Sequence, residues 1–209
     1  MQALLSHTYF GPIQWYQKLY RYKTVYIEQH DSYQKQTYRN RCVIATTNGL
    51  QALTIPVVRG EGIRISNHGN WRHLHWHALM SAYNESPFFE YYADDIRPFF
   101  EKDYEYLYDL DLAACRKVCE LIDIEPDIRL TDDFVRPASD NEWHDTASAS
   151  HGDGLHDFRE AINPKHPAPD ADFTPRRYYQ VYERKHGFQA NLSILDLLFN
   201  MGPESVFYL

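Results

Sequence analysis

The chain has 209 residues, 44% hydrophobic and 24% charged, with a formal net charge of -8. That length supports one domain with a real core, and the lack of any run of 18 apolar residues argues against membrane insertion. The acidic balance also argues against general nucleic-acid binding, for which a basic domain is expected. The charge is unevenly spread: residues 1–83 hold 9 Lys+Arg against 3 Asp+Glu, and residues 84–209 hold 12 against 26. An anionic small-molecule substrate is drawn to the first part and repelled by the second. Three cysteines, Cys42, Cys115 and Cys119, make an odd count, and the N-terminus shows no basic leader. Reduced thiols and a cytoplasmic home are expected. Cys115 and Cys119, four apart, read as a buried pair of small hydrophobes.

In chain order, residues 2–6 read as a short buried strand, and Gly11-Pro12 breaks the chain and can open a helix. Ile13, Tyr16, Leu19, Tyr20 and Lys23 follow at helical spacing, and Val25-Tyr26-Ile27 reads as the second strand. A strand-helix-strand start points to a parallel sheet. Cys42–Val58 reads as a hairpin or long strand pair turning at Asn48-Gly49, where the glycine supplies positive φ. Gly62–Ile65 is a further extended piece. Helices are expected over Trp71–Tyr83 and near 89–100 and 109–122, the last with an apolar stripe at Leu110, Ala113, Ala114, Val118, Leu121 and Ile122. Residues 101–133 contain 11 acids and 4 bases, read mostly as a solvated face.

Residues 136–174, with several prolines among small and acidic residues, are expected to wrap irregularly around the core or a neighbouring subunit. Residues 175–186 read as helical. Asn191 or Ser193 can cap a final apolar helix, with Asp196 as the capping-box acid and Gly202 at its end. The expected fold is α/β, a single domain over 1–209 with a mainly parallel central sheet, a β-hairpin extension and a helical second half. Within it, 1–83 is the basic α/β part carrying the site, 84–135 is helical, 136–174 is the wrapping segment and 175–209 holds the C-terminal helices. The 17 tyrosines, 11 phenylalanines and 4 tryptophans suit a tyrosine-rich core and a homo-oligomer contact, or a ligand platform.

Several segments in order resemble the WbqC-like family: Ser6 to Tyr16, Lys35 to Arg41, Leu53-Thr54-Ile55-Pro56-Val57, Trp71 to Trp76, and Asn191 to Gly202. His7 and Pro12 match a His-Gln-Pro-x-Tyr-x-Pro-Trp type beginning in which Thr8 replaces the usual Gln. Lys35, Asn40 and Arg41 match a Lys...Asn-Arg pattern, with Tyr38 where tryptophan is common. The resemblance covers residues 3–130 and about the last 20, and it is expected to lapse over 136–190. It implies association with bacterial surface-polysaccharide gene sets and, through them, modification of a nucleotide-linked amino sugar. The expected function is a transferase acting on a phosphate-bearing or nucleotide-linked sugar, with an anionic-ligand binding module or an oligomeric interaction protein as alternatives.

His7, at the carboxyl end of the first strand, either faces phosphate together with helix N–H groups or is satisfied locally. His30 and Asp31, after the second strand, can form a proton-transfer dyad if the loop turns there. His7 or His30 is therefore the expected base, oriented by Asp31. Lys35, Arg39, Asn40 and Arg41, with Arg72 and His75, are the expected anion holders, and salt bridges to the acidic half are the competing use of the cations. His73 and His77 sit one turn apart, but no carboxylate completes a zinc set, so no metal is expected. A P-loop, a Gly-x-Ser-x-Gly elbow and a dinucleotide fingerprint are absent from the sequence, and no cofactor is expected.

Overall fold

A computed structural model describes residues 1–60, 62–136 and 154–209. Strand β1 (Gln2–Ser6) leads through helix α1 (Ile13–Arg21) to β2 (Thr24–Glu28). The strands pair in parallel, Gln2 opposite Thr24 through Ser6 opposite Glu28, because a helical crossover returns the chain in the same direction. Ala3, Leu4 and Leu5 are all buried, the near-continuous apolar run of a strand covered on both faces.

Two antiparallel hairpins follow, β3 (Arg41–Thr46) with β4 (Gly49–Thr54) and β5 (Val57–Gly60) with β6 (Gly62–Ile65). The single long pairing expected over 42–58 is broken after Thr54. Pro56 has no N–H to give a ladder, and its carbonyl instead accepts from Ser66 N, closing the second hairpin. Gly49, at the end of the first turn, has φ +104°.

Helix α2 (Trp71–Tyr83) runs as expected, and the stretch near 89–100 divides into α3 (Phe89–Ile96) and α4 (Pro98–Glu101). Helix α5 (Leu107–Leu121) then leads to β7 (Ile128–Leu130). β8 (Leu155–Asp157) adds to the far side of β1 in parallel, Gln2 opposite Leu155. Among the described residues the central sheet is therefore β7-β2-β1-β8, all parallel. The α/β class, the mainly parallel sheet, the hairpin extensions and the helix-rich second half agree with the sequence. Residues 137–153 of the expected wrapping segment lie outside the described residues.

The helix expected over 175–186 is reduced to one turn, α6 (Glu183–His186). Tyr178 and Gln180 are drawn away from helical geometry by a buried carboxylate, Asp196, on α7 (Ile194–Met201). Asp196 accepts from Tyr178 Oη at 2.6 Å, Tyr83 Oη at 2.8 Å and Gln180 Nε2 at 3.3 Å. It is thus a core acceptor rather than the capping-box acid read from the sequence. Ser193 supplies the cap, its Oγ accepting from Leu195 N. Ile194, Leu195, Leu197, Leu198 and Phe199 are fully buried, each worth about 1.5–3 kcal/mol against exposure. Helix α7 is the central pillar of the core.

Candidate active site

Parallel strands deliver their exit loops to one edge, and the order β7-β2-β1-β8 reverses direction between β1 and β8. Chain growth passes from β1 to β2 and β7 on one side and adds β8 on the other, so the loops leaving β1 and β8 diverge and leave a crevice. A narrow slot lies there, lined by Ser6, His7 and Thr8 from β1's exit and by Phe158, Arg159 and Glu160 from β8's. A second, open hollow of about 450 Å³ adjoins it, with Gln29, His30, Asp31, Tyr33, Gly60, Gly62, Tyr106 and Tyr108 in its wall. His7, Asp31 and Arg39 line both spaces. The first two strands therefore deliver their loops side by side.

His7 is fixed from several directions. Its Nδ1 lies 2.6 Å from Oδ2 of Asp111 on α5, and its ring meets the Tyr108 ring edge-on at 5.2 Å. The loop behind it is tight: Phe10 sits at φ 42°, and a Cβ on Gly11 would fall 2.3 Å from Thr8 Oγ1. Phe10's carbonyl accepts from Ser193 Oγ at 2.7 Å, and Gly11's carbonyl accepts from Ile194 N at 2.9 Å. The start of α7 thus holds the loop that carries the histidine.

Burial is the largest influence on both members of the pair. It lowers the His7 imidazole to about 3, with the Arg39 charge adding to the effect, and it raises the Asp111 carboxyl well above its usual range against the pull of Arg39. At neutral pH the imidazole is therefore uncharged, and one proton lies between Nδ1 and the carboxyl. Asp111 Oδ1 is buried without a hydrogen-bond partner among the described residues. The carboxylate escaped sequence reading because it sits in an acid-rich stretch taken as a solvated face. Yet Leu107, Leu110, Ala114 and Val118 are the buried stripe of α5, and that spacing places residue 111 on the same face.

The remaining expected residues separate. Asp31 pairs with Arg39 rather than orienting His30, while His30 Nε2 donates to the Thr131 carbonyl at 3.1 Å. The expected His30-Asp31 dyad is therefore not formed, and Asp111 holds the corresponding position on His7. Arg39 also donates to Ser32 O and Ser6 Oγ, so it is matched internally. Asn40, just before β3, donates to Ile55 O, and Arg41 of β3 donates to Thr54 Oγ1; neither lines either space. Arg72 pairs with Asp103 and lies over Trp71, and buried His75 meets Tyr9 Oη at 3.0 Å; neither reaches the hollow. Lys35 is exposed and outside the lining of either space.

Two further charged groups at the strand ends were missed by sequence reading. Glu28, buried at the end of β2, accepts from His30 N, Thr131 Oγ1 and Val135 N at 2.7–3.0 Å. Arg159, just past β8, forks onto Asp157 at 2.6–3.1 Å and comes within 3.6 Å of Glu28. Their importance depends on β8 joining β1, a pairing between segments about 150 residues apart that carries no local signal.

The sequence model of the WbqC-like protein family matches residues 7–208. That span takes in 136–190, so the expectation that this segment departs from the family is overturned, and Arg159 lies within the matched region. "Uncharacterized protein Rv1507c" of Mycobacterium tuberculosis is 27% identical over 197 residues, covering 85% of this chain and 83% of the relative. No solved structure gives a significant match. Among the described residues no helix is long and apolar enough to cross a membrane, and no group of three or more His, Cys, Asp or Glu is placed to hold a metal ion. With a family match over nearly its whole length, the chain belongs to the WbqC-like protein family.

Proposed function

We propose that the chain is a transferase acting on a phosphate-bearing or nucleotide-linked sugar in surface-polysaccharide precursor biosynthesis, with His7 as its proton acceptor. The observation that carries this reading is His7, which lines the hollow at the parallel strand ends and is bonded through Nδ1 to buried Asp111. The proton-acceptor role uses the tautomer in which Nδ1 donates to an ionised Asp111, which leaves Nε2 its lone pair. As an acceptor hydroxyl or amine attacks the transferred group, Nε2 takes its proton, the leaving group departs with the electron pair, and the Asp111 carboxylate steadies the imidazolium. The substrate class rests on the resemblance, whose gene-set association points to nucleotide-linked amino sugars.

A second reading, ligand binding without chemistry, is favoured by the burial that lowers the His7 imidazole to about 3, well below the range that suits a general base at neutral pH. The two readings separate in a mass-spectrometric screen of sugar phosphates and nucleotide-linked amino sugars incubated with the protein and candidate group donors. His7→Asn is expected to lower turnover by about 10²–10⁴-fold with the fold intact by circular dichroism. Turnover that survives this substitution removes His7 from the chemistry, and binding without turnover across the screen favours the binding module.

A further inference from the structure

The two ends of the larger hollow differ in charge. At the inner end, His7 is neutral and the Arg39 guanidinium is matched by Asp31, so neither of these lining groups offers a free positive charge. At the mouth stands the β5–β6 hairpin, whose Gly60, Gly62 and Ile63 face the hollow. Arg59 is directly opposite Ile63 in the antiparallel ladder, and directly paired residues project to the same face. The exposed Arg59 therefore projects on the hollow's side of the hairpin, with its guanidinium 5.2 Å from the centre of the Tyr33 ring. Arg64 pairs with Val58 and meets Glu105 at 3.4 Å, with its guanidinium 5.5 Å from the centre of the Tyr106 ring. Tyr33 and Tyr106, from two different loops, complete the mouth.

From this polarity we infer that the larger hollow is a nucleoside diphosphate subsite, with the phosphates at Arg59, the planar base against the Tyr33 and Tyr106 rings, and the sugar directed inward to His7. Aromatic faces hold any base and a guanidinium stacked beside one adds charge attraction, while the neutral His7 and the matched Arg39 at the inner end offer phosphate no free charge. The assignment rests on the transferase reading and fixes which end of its substrate enters first. It also places the anion on a residue outside the Lys35–Arg41 run.

The test is calorimetric titration of the full chain with UDP, ADP and inorganic diphosphate at low salt, with each variant's fold checked by thermal melting. Nucleoside diphosphates are expected to bind about tenfold more tightly than inorganic diphosphate, and Arg59→Gln to weaken them by about tenfold. Tyr33→Ala is expected to remove the preference for the nucleoside, whereas Arg97→Gln, whose guanidinium pairs with Glu101 and lies outside the lining of the hollow, changes affinity by less than about twofold. Unchanged binding in both Arg59→Gln and Tyr33→Ala overturns the subsite, as does absence of nucleoside diphosphate binding near millimolar concentration. His7-dependent turnover of a sugar lacking any nucleotide would overturn the subsite while leaving the transferase standing. Arg59-dependent nucleotide binding with turnover indifferent to His7→Asn would do the reverse.

Discussion

Asp196 offers a quantitative test of the core, because its carboxyl is buried among two tyrosine hydroxyls and an amide rather than paired with a cation. Burial raises its pKa from 3.8 to about 6, and the hydrogen bonds from Tyr178, Tyr83 and Gln180 keep it from rising further. The folded protein thus holds this proton more tightly than the unfolded chain does. The group's contribution is fully present below about pH 4, declines as pH rises to about 6, and is level above that. A displacement of about two pH units at about 1.4 kcal/mol each amounts to about 3 kcal/mol. Asp196→Asn removes the titration while keeping one carbonyl acceptor, at a pH-independent cost of about 1–3 kcal/mol for the mismatched amide. Urea unfolding followed by tryptophan fluorescence at pH 4 and pH 7 yields the difference in stability between the two proteins. The wild type is expected to lose about 3 kcal/mol relative to the variant over that interval. A difference flat to within about 0.5 kcal/mol, or one that moves in the wild type's favour as pH rises, refutes the reasoning.

Lys18 is fully buried, 2.8 Å from Asp170 and over the Phe158 ring; Lys18→Met is expected to cost about 3–5 kcal/mol by stranding the carboxylate. Limited trypsin digestion should then show faster cleavage after the exposed Lys165, because the strap over α1 has lost its tether. Gly202 has φ 56°, and a Cβ there would fall 2.5 Å from the Phe88 ring, so Gly202→Ala should lower stability by about 3 kcal/mol in urea. Ser193→Ala removes both the cap of α7 and the bond to Phe10 O; a loss of about 1–2 kcal/mol is expected, with turnover falling as the His7 loop loosens.

Local pattern made much of this architecture legible. The strand-helix-strand opening, the turn at Asn48-Gly49, helix α2 and the buried terminal helix all depend on contacts or propensities within a few residues. His7, on the exit of the first strand, was found by the same logic. Asp111 was not, because counting charges over 101–133 obscured the helical face on which one acid sits among leucines. Arg159 and Glu28 meet through β8, which follows β1 by about 150 residues, and no periodicity announces such a partner. The anion holders read from Lys35 to Arg41 illustrate the opposite limit. Positive charge was correctly located along the chain, but whether a guanidinium is free depends on which carboxylate folds beside it, as Asp31 does for Arg39.

The start of α1 and the start of α7, about 180 residues apart in sequence, are joined through backbone contacts. Ile13 N donates to Leu192 O at 3.0 Å, Pro12 bridges to Ser193, and Ser193 N donates to Val43 O. During translation, residues 1–190 therefore emerge with their deepest apolar surface uncovered, and the pillar that fills it is still inside the ribosome. Such sequence-distant closure is slow, and nascent chains of this protein should engage chaperones until α7 has emerged. Truncation within α7 would yield an aggregating product even though every residue lining the candidate hollow is present.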